Sequence, residues 1–225
     1  MSDQNEYADL DWRDGKIPIA TRFDDPYFSL DNGLAETEYV FLAGNDLPAR
    51  FAAGFHIAEL GFGSGLNLLC AWKAWRDAGH QTPLRFTSFE AFPMRPDDMA
   101  KAHAAWPELA NEAAEFSAIW DADAGRAQGD TLDAQVIYGD ARQTLADWDG
   151  VTDAWFLDGF SPAKNPELWG ADLMQQVGRH TAAGGSFATY SAAGHVRQSL
   201  TQAGFTVERI KGFGRKRHMT RGVMA

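Results

Sequence analysis

The chain has 225 residues, 31 acidic and 20 basic side chains, a net charge of −11 and a hydrophobic share of 45%. That length suits one domain and that apolar share excludes wholesale disorder, while no apolar run nears the roughly 20 residues of a membrane helix. The polar, acidic amino terminus fits no secretory or transit peptide, and the single cysteine, Cys70, excludes an intrachain disulfide and a thiolate-rich metal site. These features predict a soluble, cytoplasmic protein, and the overall charge speaks against nucleic acid, whose phosphates call for Lys and Arg.

Residues 1–50 are mostly polar, with turn signals at Asp14-Gly15, Asp24-Asp25-Pro26 and Asp31-Asn32-Gly33 and short apolar stretches at 17–20 and 39–42. They read as a small β-rich extension packed on a main domain over 51–225. From residue 55 strands and helices alternate, the signature of a parallel sheet. The expected order is a strand at 55–60, a Gly-rich turn, a helix at 66–77, a strand at 84–90 and helical stretches within 96–118. Strands follow at 135–138 and 154–157, then a helix at 171–181 ending at Gly184-Gly185. A strand at 186–190, a helix at 196–203 and an antiparallel hairpin of 205–210 with 217–224 close the pattern. This is a doubly wound α/β sheet of seven strands.

The first strand runs into Glu59-Leu-Gly61-Phe-Gly63-Ser-Gly65-Leu-Asn67. Glycines let such a turn bend tightly and approach a ligand closely. A dinucleotide fingerprint needs glycine where this chain has Leu66, which disfavours a nicotinamide enzyme. The acid-x-G-x-G-x-G form is instead associated with S-adenosylmethionine, whose ammonium an acid such as Glu59 can face. The second strand ends at Glu90, placed to accept hydrogen bonds from ribose hydroxyls, and the third ends near Asp140, where an acid commonly meets the adenine amine. Asp140 also suits a helix cap before Ala-Arg-Gln. The fourth strand ends in Asp158-Gly-Phe160-Ser-Pro-Ala-Lys164-Asn165-Pro, a rigid loop that projects an acid, a cation and an amide at the ligand crevice. Phe160 either stacks on a base or packs under the loop.

Charge is unevenly placed. Residues 209–225 hold Arg209, Lys211, Arg215, Lys216, Arg217 and Arg221 and no acid, a net of +6, against −17 for residues 1–208. An acidic body with one basic edge suits an anionic partner that touches only that edge. Cys70 reads as a small buried hydrophobe, and the six histidines show no ligand spacing, so no metal site is expected.

Four of these segments together resemble one family. The Glu59–Asn67 turn, the Asp158 loop, Lys211-Gly-Phe-Gly-Arg215-Lys216-Arg217, and the stretch Arg22-Phe-Asp-Asp-Pro-Tyr-Phe-Ser-Leu-Asp-Asn-Gly-Leu-Ala-Glu-Thr are similar to the methyltransferase domain of the MnmC family, the bifunctional tRNA 5-methylaminomethyl-2-thiouridine biosynthesis proteins. The resemblance implies a class I SAM-dependent methyltransferase with a Rossmann-like fold that methylates the 5-aminomethyl group of 2-thiouridine at the tRNA wobble position. By motif it places Glu59, Gly61, Gly63, Gly65 and Asn67 around the methionine part of S-adenosyl-L-methionine, Glu90 at the ribose, Asp140 near the adenine and Asp158 at the reaction centre. Phe160, Lys164, Asn165, Lys211, Arg215, Lys216 and Arg217 would meet the tRNA. The family's bifunctional proteins continue into a flavin-dependent oxidase, which implies either a separate oxidase partner or a second half of a longer chain. A small-molecule methyltransferase on the same fold and a non-catalytic SAM- or tRNA-binding partner of an oxidase are the alternatives.

Overall fold

A computed structural model describes residues 6–29 and 32–225; the turn expected at Asp31-Asn32-Gly33 lies partly outside them. The chain order begins with strands β1 (Leu10–Arg13), β2 (Ile17–Ala20) and β3 (Asp25–Pro26), which pair antiparallel in a small separate sheet. Helix α1 (Gly33–Thr37) follows, continued by a π-helical turn at Glu38–Leu42 and a 3₁₀ turn at Ala43–Asn45. The main unit alternates β4 (His56–Leu60), α2 (Leu66–Asp77), β5 (Leu84–Glu90), α3 (Pro96–His103), α4 (Ala110–Ile119), β6 (Trp120–Asp121), β7 (Arg126–Gly129) and β8 (Leu132–Tyr138). It ends with α5 (Ala141–Thr144), β9 (Thr152–Leu157), α6 (Ala171–Arg179), β10 (Thr181–Thr189), α7 (Gly194–Gln202), β11 (Phe205–Lys211) and β12 (His218–Met224).

The large sheet has nine strands in the order β11-β12-β10-β9-β4-β5-β8-β7-β6. Pairings among β10, β9, β4, β5 and β8 are parallel, and those of β11 with β12 and β12 with β10 are antiparallel. Central parallel strands are covered on both faces, which is why β4 and β9 are buried almost throughout. The side-chain period of two splits them between two cores. Ile57, Phe86, Ala154 and Phe156 face one cluster with Trp72 and Trp75 of α2, whereas Ala58, Phe89, Trp155 and Leu157 face the other with Leu173 and Val177 of α6. Cys70 lies buried in the first cluster.

Three expectations are corrected. Residues 33–45 are helical, not β-rich: Asn32 Oδ1 accepts the Ala35 amide at 2.9 Å as an N-cap, and Val40, Phe41 and Leu42 are buried in the main core. Four apolar residues cannot distinguish strand from buried helix by periodicity. The sheet gains a hairpin, β6–β7, whose turn is held by Asp121 Oδ1 accepting from the Asp123 and Ala124 amides. Helix α6 stops at Arg179 and Gly184 lies inside β10, where the pairing register with β9 shifts between Thr181 and Ser186 and φ at Gly184 is +72°.

The amino-terminal segment is bolted to the sheet. Asn45, fully buried, donates to Phe41 O at 2.9 Å and Trp155 O at 3.3 Å, and the Arg50 guanidinium donates to Asn45 O and Asp153 O, both at 3.1 Å. This anchoring sets α1 against the carboxyl ends of the central strands.

Candidate active site

A cavity of about 780 Å³ opens at the carboxyl ends of β4, β5, β8 and β9 and is walled on the far side by residues from the segments 22–29 and 33–37 and by Lys216. Ligand crevices in open α/β sheets form at this edge. Its floor is the turn between β4 and α2. Gly61, Gly63 and Gly65 have φ of +88°, +55° and +78°, a region that costs other residues strain. At Gly61 a side chain would collide with the Asp158 carbonyl oxygen, so glycine lets the two loops touch.

The acids at the strand tips converge, but at different depths. Glu90 lines the cavity and accepts from the Gly63 amide at 3.0 Å and the Phe92 amide at 2.8 Å, one bond on each oxygen. Burial raises its pKa while those amide bonds lower it. Each oxygen keeps a lone pair that can face a diol. Asp140 also lines the cavity, but it caps α5 by accepting from the Arg142 amide at 2.9 Å and pairs with the Arg142 guanidinium at 2.5 Å, which holds its carboxyl below the usual range. The cap and the cavity position are therefore one residue's two faces.

Glu59 is placed differently from the expectation that it faces a ligand ammonium. Its side chain is completely buried, with Asn67 Nδ2 donating to Oε1 at 2.9 Å and Ser88 Oγ donating to Oε2 at 2.7 Å. Burial pushes its pKa well above the usual carboxylate range. Asn67 lines the cavity in front of it and bridges it to Asp158, donating from the same Nδ2 to Asp158 Oδ2 at 2.7 Å. Asn67 Oδ1 in turn accepts from Thr37 Oγ1 at 2.9 Å. Asn67, and not Glu59, is therefore the side chain of this pair that faces the cavity.

Asp158 lines the cavity at the end of β9. Burial pushes its carboxyl up to about 7; the Asn67 bond and the Lys216 charge pull down, and the Glu36 charge pushes up. Above it Phe160 stacks on Phe23 at 4.6 Å and meets Tyr27 edge-on at 5.1 Å. Phe160 is therefore packed among aromatics and also part of the cavity wall. Asn165 lines the cavity as well.

The basic residues divide. Lys164 does not reach the cavity: its ammonium bonds to the Asp24 backbone oxygen and lies 3.2 Å from Asp24 Oδ2 and 3.8 Å from Asp25 Oδ1, so its charge is spent within the protein. Lys216 turns inward, pairing with Glu36 at 2.8 Å and lying 4.1 Å from the centre of the Tyr190 ring. Lys211, Arg215 and Arg217 are exposed on the outer side, with no ion pair among the described residues. Sequence reasoning assigned no role to Tyr27, Glu36, Thr37 or Tyr190. The only signal for the first three was their presence in the Arg22–Thr37 segment, and Tyr190 follows the fifth parallel strand, where a tip residue belongs to the crevice.

The donor set fits S-adenosyl-L-methionine: a glycine turn closed to any side chain, a carboxylate with free lone pairs for a diol, a second acid at the next strand tip, and room for a whole nucleoside. Among the described residues no group of three or more His, Cys, Asp and Glu is arranged to hold a metal ion. The S-adenosyl-L-methionine-dependent methyltransferases match residues 104–225, and the chain belongs to that family. It is 45% identical, over 98% of its length, to the tRNA 5-methylaminomethyl-2-thiouridine biosynthesis bifunctional protein MnmC of Hahella chejuensis, of which it spans 37%. The crystal structure of MnmC2 from Aquifex aeolicus superposes with a TM-score of 0.73 at 28% identity, covering 98% of this chain and 71% of that one. Spermidine synthase from Thermotoga maritima shares the fold, with a TM-score of 0.57 at 12% identity and coverage of 100% and 71%.

Proposed function

We propose that the protein transfers a methyl group to the 5-aminomethyl nitrogen of 5-aminomethyl-2-thiouridine at the wobble position of tRNA, giving 5-methylaminomethyl-2-thiouridine. The single observation that carries this reading is Asp158, a carboxyl poised near neutrality and held by Asn67 on the wall of a cavity large enough for a methyl donor and a base. The likeness to a bifunctional protein of that named pathway supplies the substrate.

S-adenosyl-L-methionine supplies an electrophilic methyl group on its sulfonium. Gly61, Gly63 and Asn67 would border its amino-acid end, Glu90 its ribose hydroxyls and Asp140 its adenine. A primary alkylamine is protonated near pH 7, as a lysine is, and must lose a proton before it can attack. Asp158 orients the nitrogen and accepts that proton, releasing it later to solvent. General-base help of this kind is worth about 10²–10⁴-fold, and in-line positioning up to roughly 7–11 kcal/mol. Phe160, Phe23 and Tyr27 offer aromatic faces to a base taken out of its stack. Lys211, Arg215 and Arg217 would hold tRNA phosphates on the rim. The reading makes the protein cytoplasmic and the consumer of an aminomethyl nucleoside released by an oxidase, whether on a separate chain or a longer one.

The test is methyl transfer from labelled S-adenosyl-L-methionine to tRNA carrying the 5-aminomethyl group, followed by nucleoside analysis. The label should appear in 5-methylaminomethyl-2-thiouridine, and Asp158→Ala should lower turnover at least 100-fold. Label only in small amines, or none in tRNA, would overturn the assignment.

A further inference from the structure

Glu36 is a carboxylate on the cavity wall whose side chain is only 13% exposed, and its partner is an ammonium: Lys216 Nζ, 2.8 Å from Oε1. Lys216 also lies 4.1 Å from the centre of the Tyr190 ring, whose hydroxyl donates to Gly159 O at 2.6 Å and fixes the ring beside the Asp158 loop. An alkylammonium is thus held inside the cavity by a carboxylate and an aromatic face, a combination that recognises cations. The backbone next to Glu36 is tied to the reaction centre, since Thr37 bonds Asn67 and Asn67 bonds Asp158. The charges of Glu36 and Lys216 are both felt at Asp158, with opposite sign.

Lys216 is the loosest member of this set. It is 47% exposed, on a long flexible stem, in the turn between β11 and β12 that contains Gly214 at φ +54°. Exchange of one ammonium for another leaves Glu36 paired throughout, so it avoids the penalty of a buried uncompensated charge.

We propose that Glu36 binds the amine of the acceptor, and that Lys216 occupies that position as an internal cation until the acceptor displaces it. The inference rests on the reading that the acceptor is a cationic amine on RNA. On displacement Lys216 is freed toward the rim, where Arg215 and Arg217 already face solvent.

The experiment compares two anticodon stem-loops, one bearing 5-aminomethyl-2-thiouridine and one bearing 5-methyl-2-thiouridine, which lacks only the amine. Affinity is measured with S-adenosylhomocysteine present for the wild type, Glu36→Gln, Lys216→Met and the double variant. The wild type should prefer the amine at least tenfold. Glu36→Gln should reduce that ratio to about one with S-adenosylhomocysteine affinity retained, Lys216→Met should increase it, and the double variant should match Glu36→Gln. A ratio unchanged in Glu36→Gln, or lost in Lys216→Met, overturns the inference while leaving the methyl transfer reading intact. If Glu36 only anchors Lys216, the double variant will match Lys216→Met, which also overturns it. A wild type with neither preference nor methyl transfer defeats the functional reading itself, and this inference with it.

Discussion

The carboxyl of Asp158 illustrates how a single burial event serves two ends. Its burial at the cavity wall raises its pKa to about 7, so near neutral pH it can both receive and release a proton. The same shift has a sign for stability. Between the ordinary aspartate value near 3.8 and about 7 the folded protein holds a proton that the unfolded chain has lost, so Asp158 makes the fold less stable as pH rises through that window. Glu59 and Glu90, also raised by burial, contribute in the same direction. Asp158→Asn keeps the shape and can still accept from Asn67, but has no charge to desolvate. Its melting temperature should therefore equal that of the wild type near pH 4 and exceed it at pH 8, with methyl transfer reduced at least 100-fold at pH 8, where the wild-type carboxyl is ionised. Thermal melts at the two pH values check this, and a difference that shrinks as pH rises contradicts the burial assignment. In the wild type the rate should fall as pH drops below about 7, because a protonated Asp158 cannot take the amine's proton.

At the scale of elements, the turn between β4 and α2 works because its backbone touches the loop after β9. Gly61→Ala must adopt φ near +88° and also push its new methyl against the Asp158 carbonyl oxygen. Gly79 at the end of α2 has a similar φ of +86°, but a side chain there would meet nothing within 4 Å. Gly79→Ala should cost only the backbone strain, about 1–3 kcal/mol. Gly61→Ala should cost more and should also lose S-adenosyl-L-methionine binding, measured by calorimetry alongside denaturant melts. Equal losses of stability with binding intact in both would show that the loop contact is unimportant. The contrast also explains what the sequence could reveal. Central strands and the acids at their tips were legible, because parallel strands buried on both faces read as continuous apolar runs and the topology sends every tip to one crevice. The β6–β7 hairpin was not, since strands of two and four residues carry no alternation. The helical character of 33–45 was missed because its apolar stretch owes its form to packing under the sheet, although Asn32 was an available cap. Glu36, Tyr27 and the inward turn of Lys216 were illegible for a related reason. They belong to segments outside the strand–helix alternation, and tertiary contacts such as the Lys216–Glu36 ion pair bring them together at the cavity.

For the molecule as a whole, a net charge of −11 is a poor guide to partners because positive charge is concentrated at one end of the chain. Even within that end it is not all available. Arg221 pairs with Glu208 at 3.0 Å and Asp46 at 3.4 Å, and Lys216 pairs with Glu36, which leaves Arg209, Lys211, Arg215 and Arg217 exposed, the last three being the cations of the proposed RNA rim. An acidic body repels a polyanion at long range, so on the proposed reading these few contacts would carry a disproportionate share of tRNA affinity, with the field screened over about 10 Å at 0.1 M salt. Each phosphate contact contributes about 0.7–0.9 to the slope of log affinity against log salt. The double variant Arg215→Ala/Arg217→Ala should therefore weaken tRNA binding at low salt, lower that slope by about 1.4–1.8 and leave S-adenosyl-L-methionine affinity unchanged. Filter binding across a salt series reads all of this directly. Lys164→Ala, by contrast, should leave the slope unchanged, because that ammonium is already neutralised by Asp24 and Asp25. A slope that falls equally in both variants would mean that Lys164 leaves its internal partners to meet RNA. A slope that falls in neither would remove the hairpin from the binding surface and move the search to the aromatic rim around Phe160.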